Sequence, residues 1–370
     1  MAWPVLLMSR ALNEGGSERQ MTEIAKSLDR VRFEPRVGCF RPEGMRREEL
    51  EAAGVPIVSF PVHSFASPRT ISSARRLARY IHRNNIRLVH TFDYPLTVFA
   101  IPAGRFFTSA AVVSSQRSHR DLIPGRYRRL VRITDHLADA IVVNCDFVRR
   151  HLQQDEHVPP RKIQLCYNGI DLDLFRPLDT SRPSSLASAT LVIGVVCALR
   201  PEKGLSTLLR AFARVRNQGS GLKLAIVGSG TMLDPLQTEA RALGIAAECV
   251  FVPETGQVAG WLRSIDIFVL PSLTEALSNS LMEAMACGCC AVASNVGGNP
   301  ELINSNETGL LFEPGDVAGL SAALQLLIEN ESARRRMADA GARFIRERFS
   351  VRASAQRMGE IYTQLIEHRQ

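Results

Sequence analysis

The segment 265–301, IDIFVLPSLTEALSNSLMEAMACGCCAVASNVGGNPE, constrains the fold more than any other stretch. Its first apolar run, 265–270, is short and rich in branched residues, the pattern of a strand buried on both faces of a parallel sheet. Pro271 ends that run, and a polar loop carries Glu275. Asn279 or Ser280 is placed to cap a helix containing Leu281, Met282, Ala284 and Met285, and Gly288 to stop it. A second apolar run, 289–293, opens into a loop with Gly297, Gly298 and Glu301. Strand, loop, helix, strand, loop is one α/β unit. Its polar groups gather at the strand ends, where open parallel sheets bind ligands.

The same alternation recurs along the chain. Strand patterns fall at 4–8, 35–40, 56–62, 87–92, 111–115, 140–144 and 162–167, then at 191–199, 222–228 and 249–253. Helical patterns follow them and close the chain at 316–330, 332–348 and 350–368. This predicts doubly wound parallel sheets. A chain of 370 residues can bury two cores of ordinary size. The expected division is a first domain over 1–175, a linker over 176–190, a second domain over 191–348 and a returning helix over 349–370. The linker assignment rests on the Ser-, Thr- and Pro-rich run LDTSRPSSLASAT.

Spacing brings in chemistry. Glu275 and Glu283 are separated by seven residues, one on the loop and one about a turn into the helix. A helix N-terminus suits a phosphate. A carboxylate one turn in could hold a ribose diol, while Glu275 would face whatever hangs from the phosphates. The strand 191–199 leads to Arg200, Lys203 and Gly204, and two cations before a helix can neutralise a diphosphate. Near the chain start, Gly15 and Gly16 precede another helix and let backbone approach an anion closely.

Composition excludes several classes. Hydrophobic residues at 45% and charged residues at 22% are those of a soluble globular protein. No apolar run reaches the length of a membrane span, and MAWPVLLMSR reads as a first strand, not a signal peptide. Eight scattered cysteines fit a reducing cytoplasm, with Cys287, Cys289 and Cys290 packing as small residues. With two Trp, five Tyr and no aromatic-interleaved basic module, the net charge of +8 does not point to nucleic acid. An anionic membrane surface or a diphosphate-bearing lipid is the better partner, which would make the protein cytoplasmic and peripheral at the inner membrane face. Arg117, His119, Arg120, Arg126, Arg128, Arg129 and Arg132 crowd one stretch with Leu122, Ile123 and Tyr127. That mix fits a lipid headgroup region and a solvated helix face equally.

Pro271, Ser272, Glu275, Asn279, Glu283, Ala284, Met285, Ala286 and Gly288, followed by Gly297, Gly298 and Glu301, together carry a resemblance. They resemble the E-x7-E pattern of retaining glycosyltransferases of the family 4 type. The resemblance implies an α/β protein of GT-B architecture: two Rossmann-like, doubly wound parallel-sheet domains facing each other across a cleft. It implies transfer of a hexose-type sugar, with retention, from a nucleotide diphosphate sugar to a glycan or lipid-linked acceptor in surface polysaccharide assembly. The implied catalytic residues are Lys203, Glu275 and His119, the last standing where relatives place a cleft histidine. The implied donor-binding residues are Gly16, Arg200, Lys203, Glu275, Ala276, Leu277, Ser278, Asn279 and Glu283. The family arginine falls at Ala198, so Arg200 is expected to replace it. The turn Gly228–Ser229–Gly230 is expected under the donor, and Pro253, Glu254 and Thr255 beside its base. Asn144 is expected to cap a helix, and Asn168, Gly169 and Asp171 to close the first domain. No cofactor and no metal are expected, since Lys203, Arg200 and the helix at 279 supply positive charge. Two rivals share the fold: a nucleotide-sugar 2-epimerase, which should lack the E-x7-E cassette, and a non-catalytic nucleotide-sugar-binding subunit, which has no need of Lys203, Glu275 and Glu283.

Overall fold

The computed structural model describes residues 2–13, 15–65, 67–217, 221–253 and 255–369. Packing divides the chain into two compact units, Met1–Gly169 with Val351–Gln370, and Ile170–Ser350. The chain leaves the first unit after Gly169, builds the second and returns at Val351. Residues 176–190 lie within the second unit, where Leu186 is buried and Arg182 pairs with Asp266 at 2.6 Å.

The first unit holds seven strands: β1 (Trp3–Ser9), β2 (Phe33–Cys39), β3 (Ile57–Ser59), β4 (Leu88–Thr91), β5 (Ala111–Gln116), β6 (Ala140–Val143) and β7 (Ile163–Leu165). They form one sheet in the order β3-β2-β1-β4-β5-β6-β7, every pair parallel. Val5 lies opposite Pro35 on one side and Leu88 on the other. Parallel neighbours need long crossovers, and helices supply them. Those helices cover both faces, so β1 is apolar from Trp3 to Met8. Val5 and Leu7 enter one core with Met21, Ile24, Met358 and Tyr362. Leu6 and Met8 enter the other with Phe60, Leu77 and Phe99.

The second unit repeats the plan with β8 (Leu191–Val196), β9 (Leu222–Val227), β10 (Cys249–Val252), β11 (Ile267–Leu270), β12 (Cys290–Ser294) and β13 (Gly309–Phe312), in the order β10-β9-β8-β11-β12-β13. All pairs are parallel, with Ile267 opposite Ile193 and Cys290. The strand β13 lies in the stretch ETGLLFEPGD, outside the strand patterns marked in the sequence. In each sheet the order of winding reverses once, between β1 and β4 and between β8 and β11. Chains diverge there, and a crevice opens beyond the carboxyl ends of the strands.

Candidate active site

The second unit builds its site at the reversal between β8 and β11. After β8 the chain makes a short turn, Pro201–Lys203, and Gly204 then turns left-handed (φ 61°) into the helix Leu205–Val215. Any side chain at 204 would run into the carbonyl of Pro271. The Leu273 amide donates to the Glu202 carbonyl at 2.8 Å. These two contacts clamp the loop after β8 onto the loop after β11. On the far side, Gly297 (φ 59°) leaves no room for a Cβ beside the Glu275 carbonyl, and the Gly298 amide donates to the Ala276 carbonyl at 2.7 Å. Glu275 is therefore braced from both flanks by backbone.

Within that brace the Lys203 ammonium donates to Glu275 Oε2 at 2.5 Å. The Ser272 hydroxyl donates to the same oxygen at 3.2 Å. Among the described residues no donor reaches Glu275 Oε1. The two side chains are 18% and 14% exposed, so the pair is shielded yet reachable. Burial pulls the pKa of Lys203 down, but the charge and hydrogen bond of Glu275 outweigh it and leave the ammonium above its ordinary value. Lys203 is thus a permanent cation at neutral pH.

The helix Asn279–Ala286 starts just beyond Glu275. Its cap is Ser278, whose hydroxyl accepts from the Leu281 amide at 3.3 Å, and not Asn279 or Ser280 as the sequence suggested. The loop ends one residue sooner than periodicity indicates, and Ala276, Leu277 and Ser278 are all buried. Glu283 is only 3% exposed, which rules out a solvated helix surface for it. Arg200, the expected substitute for the family arginine, is 66% exposed and lies 3.9 Å from Glu202. It shares the loop with Lys203 but is not drawn into the Lys203–Glu275 pair. The Gly228 and Gly230 turn packs on the carbonyls of Cys197 and Leu199, at the neighbouring strand end. Glu254 lies outside the described residues, as does Glu14 beside the first glycine pair. Cys287, Cys289 and Cys290 are free and buried, and the Cys289 thiol donates to the Leu262 carbonyl at 3.1 Å.

The first unit carries the other named residues. Gly16 opens the helix Gly16–Ser27, with Gly15 as its cap. Asp93, at the end of β4, accepts from the Arg10 amide at 2.6 Å and from the Leu96 amide at 3.0 Å, tying the chain beyond β1 across the sheet reversal. Burial pushes its carboxyl up to about 6 against both hydrogen bonds. His119 caps a single turn, Arg120–Leu122, by accepting from the Asp121 amide, and its ring stacks on His151 at 3.9 Å. Arg120, 1% exposed, is held by Asp135 at 2.6 Å and Glu156 at 3.1 Å. Burial lifts Asp135 to about 6 despite Arg120, whereas the Arg132 hydrogen bond to Glu156 outweighs burial and, with Arg120, holds that acid at about 2. One acid leans on a single shared guanidinium and the other on two.

The basic stretch is consequently smaller than the sequence implies. Arg117 donates to Asn168 and Arg128 pairs with Asp121, while Arg120 and Arg132 serve the internal cluster. Among the described residues no carboxylate pairs with Arg126 or Arg129. Asn144 does not cap its helix. The helix Asp146–Gln154 begins one residue later than expected, with Cys145 at the cap position, and the Asn144 side-chain oxygen is buried without a partner. Sequence reasoning gave no role to Ser272, His151 or Asp155. The first stands within the matched motif, and the i,i+4 spacing of the other two was the available signal.

Two Rossmann-type units, each with its polar groups at a sheet reversal, define the GT-B class. The sequence profile of "Glycosyl transferases group 1" matches residues 179–344, and that of "Glycosyltransferase Family 4" matches 14–174. The chain belongs to this family of glycosyltransferases. A D-inositol 3-phosphate glycosyltransferase from Segniliparus rotundus is 31% identical over 259 residues, 67% of this chain and 57% of the relative. A GDP-mannose-dependent alpha-(1-6)-phosphatidylinositol monomannoside mannosyltransferase from Mycolicibacterium smegmatis is 28% identical over 352 residues, 87% and 88% of the two chains. The chain spans about half the length of the inositol phosphate glycosyltransferases it matches. The solved structure of Anabaena Alr3699/HepE in complex with UDP and glucose superposes with a TM-score of 0.86 at 21% identity, over 98% of this chain and all of that one. That likeness is one of fold.

Proposed function

We propose that the protein transfers a hexose-type sugar, with retention, from a nucleotide diphosphate sugar to a glycan or lipid-linked acceptor. The observation that carries this reading is the Lys203–Glu275 pair, braced by backbone at the sheet reversal of the second unit. As the bond from the anomeric carbon to the diphosphate oxygen breaks, negative charge develops on the leaving group. A fixed, charged lysine in a shielded site stabilises that charge without reorganising. The segment Ala276, Leu277, Ser278 and Asn279 brings a helix N-terminus to the same phosphates. Glu275 Oε1 is the acceptor for a sugar hydroxyl, and Glu283 the acceptor for the ribose. The acceptor oxygen then bonds to the anomeric carbon on the face the diphosphate leaves, and its proton passes to the departing phosphate oxygen. With Lys203 and the helix supplying positive charge, no divalent ion is required in this scheme.

Relatives named for mannosyl transfer and for inositol-containing acceptors support a hexose donor and a lipid-linked or glycan acceptor. Among the described residues no helix is long and apolar enough to cross a membrane. Contact with a lipid-borne acceptor would instead use the outer face of the helix Gly125–Leu137, where exposed Leu130 and Ile133 stand among Arg126 and Arg129. A role in surface polysaccharide assembly at the inner membrane face is part of the same proposal.

The test is a thermal-shift panel of nucleotide sugars, GDP-mannose and UDP-glucose included, followed by product analysis with the stabilising donor. A donor at about 100 times its dissociation constant should stabilise the protein by about 2.7 kcal/mol. Stabilisation by no nucleotide sugar, or a product of inverted anomeric configuration, would overturn the reading.

A further inference from the structure

The stacked rings at the start of the turn Arg120–Leu122 make an unusual arrangement. His151 lies on the helix Asp146–Gln154 and is 8% exposed. Its Nδ1–H donates to the Asp155 carboxylate at 2.7 Å, which leaves Nε2 as the lone-pair nitrogen of the neutral ring. That Nε2 is buried and has no hydrogen-bond partner. A buried polar atom of this kind is rare in native interiors and calls for a reason. Against it lies His119, with ring centroids 3.9 Å apart and an interplanar angle of 33°. Phe147 flanks His119 at 5.9 Å.

The partners of His119 also assign its tautomer. Nδ1 accepts the Asp121 amide at 3.3 Å, so in the neutral ring the proton sits on Nε2. The Asp121 carboxylate also lies 3.3 Å from Nδ1, but it is 70% exposed and the backbone amide is fixed. The groups facing this ring are His151, Asp121, Asp155 and Glu156. Burial, then His151, holds His119 below the ordinary histidine value, against the pull of the three acids. A proton added at Nδ1 would also displace the cap.

We propose that His151, oriented by Asp155, is a positioning residue for His119, and that the stack presents His119 as an Nε2–H hydrogen-bond donor to a substrate oxygen and not as a base. The role toward substrate rests on the reading of the protein as a sugar transferase, in which the resemblance implies His119 as a catalytic residue. The tautomer does not depend on that reading.

Long-range 1H–15N correlation on the full chain at neutral pH should show His119 protonated at Nε2. Protonation at Nδ1 overturns the proposal whatever the protein transfers. With the donor found by the thermal-shift panel, His119→Ala should lower kcat/KM by about 10–100-fold. His119→Gln, whose amide N–H can replace Nε2–H, should recover most of that loss, and equal losses in the two variants would mean a base. An unchanged kcat/KM in His119→Ala would remove the ring from the reaction. His151→Ala should cost about tenfold in kcat/KM through misplacement of the ring. Its acid limb should move to higher pH, because the burial and repulsion that depress His119 are relieved. His151→Phe should restore the stack and the rate. A fall in melting temperature for His151→Ala with an unmoved pH profile would make His151 merely structural and refute its positioning role. If no nucleotide sugar binds, the transferase reading fails while the nuclear resonance result still decides the tautomer.

Discussion

At the scale of single residues, Lys203 and Glu283 should fail in different ways. Lys203 is charged, 18% exposed and fixed by Glu275, and its proposed partner is the leaving diphosphate, where charge grows during reaction. Lys203→Ala should therefore lower turnover by about 10²–10³-fold, the typical loss for one such donor. The second unit should stay folded, since the residue sits on a turn outside the apolar core. Glu283 is proposed to hold the ribose, a part of the donor that does not react. Glu283→Gln, chosen because the residue is buried and truncation would open a cavity, should mainly raise the Michaelis constant. A lost charged acceptor corresponds to about 1.5–3 kcal/mol. Steady-state kinetics on both variants checks the contrast, and matching kcat losses would dissolve the distinction between leaving-group and ribose contacts.

At the scale of elements, the helix Gly125–Leu137 shows what sequence can and cannot tell. Seven basic or titratable residues crowd this region in sequence, yet folding spends Arg117, Arg120, Arg128 and Arg132 on internal partners. What remains outward is Arg126 and Arg129 with Leu130 and Ile133. If that face meets an anionic bilayer, Arg126→Ser with Arg129→Ser should weaken sedimentation with anionic liposomes by about 1 kcal/mol for each charge. Arg132→Ser should instead cost stability, because it withdraws one of the two guanidiniums from Glu156. Liposome binding unchanged in the double variant would return the face to solvent. The strands and the E-x7-E cassette were legible because period and motif are local properties. The partners of Arg117 and Arg132 were not, since Asn168 and Glu156 come from distant stretches. The cap of the helix Asn279–Ala286 was misplaced by one residue for a related reason: tertiary burial of Ala276 to Ser278 sets where the loop ends. The strand β13 was overlooked because a four-residue run flanked by turn residues carries little periodic signal.

At the scale of the whole molecule, the chain's last helix, Val351–Glu367, completes the core of the unit in which the chain began. Met358, Ile361, Tyr362 and Ile366 pack with residues of β1, β2 and β5. The Tyr362 hydroxyl meets His90 Nδ1 at 2.6 Å, and His90 Nε2 meets the Ser115 hydroxyl at 2.8 Å. Both ring nitrogens are thus committed in a fully buried site. Burial, helped by the charge of Arg117, depresses His90 well below the ordinary value, so the folded chain resists protonating it. The unfolded chain takes up that proton below about pH 6.5. Stability contributed by His90 is therefore present above that pH and drains away as pH falls below it, by at most about 1.4 kcal/mol per pH unit for one proton. Asp93 and Asp135, raised to about 6 by burial, act in the opposite sense. They bind protons in the folded state first, so stability falls as pH rises from about 4 to about 6. Both acids remain in a His90→Gln variant, and their effect cancels in the difference between variant and parent. Urea unfolding of the two proteins at pH 7, 6 and 5, followed by near-ultraviolet signals of the first unit, should show the parent's advantage shrinking steadily as pH falls. An advantage constant from pH 7 to pH 5 would mean that His90 titrates alike in the folded and unfolded chain, and the buried tyrosine–histidine–serine relay would then not be what fastens the returning helix.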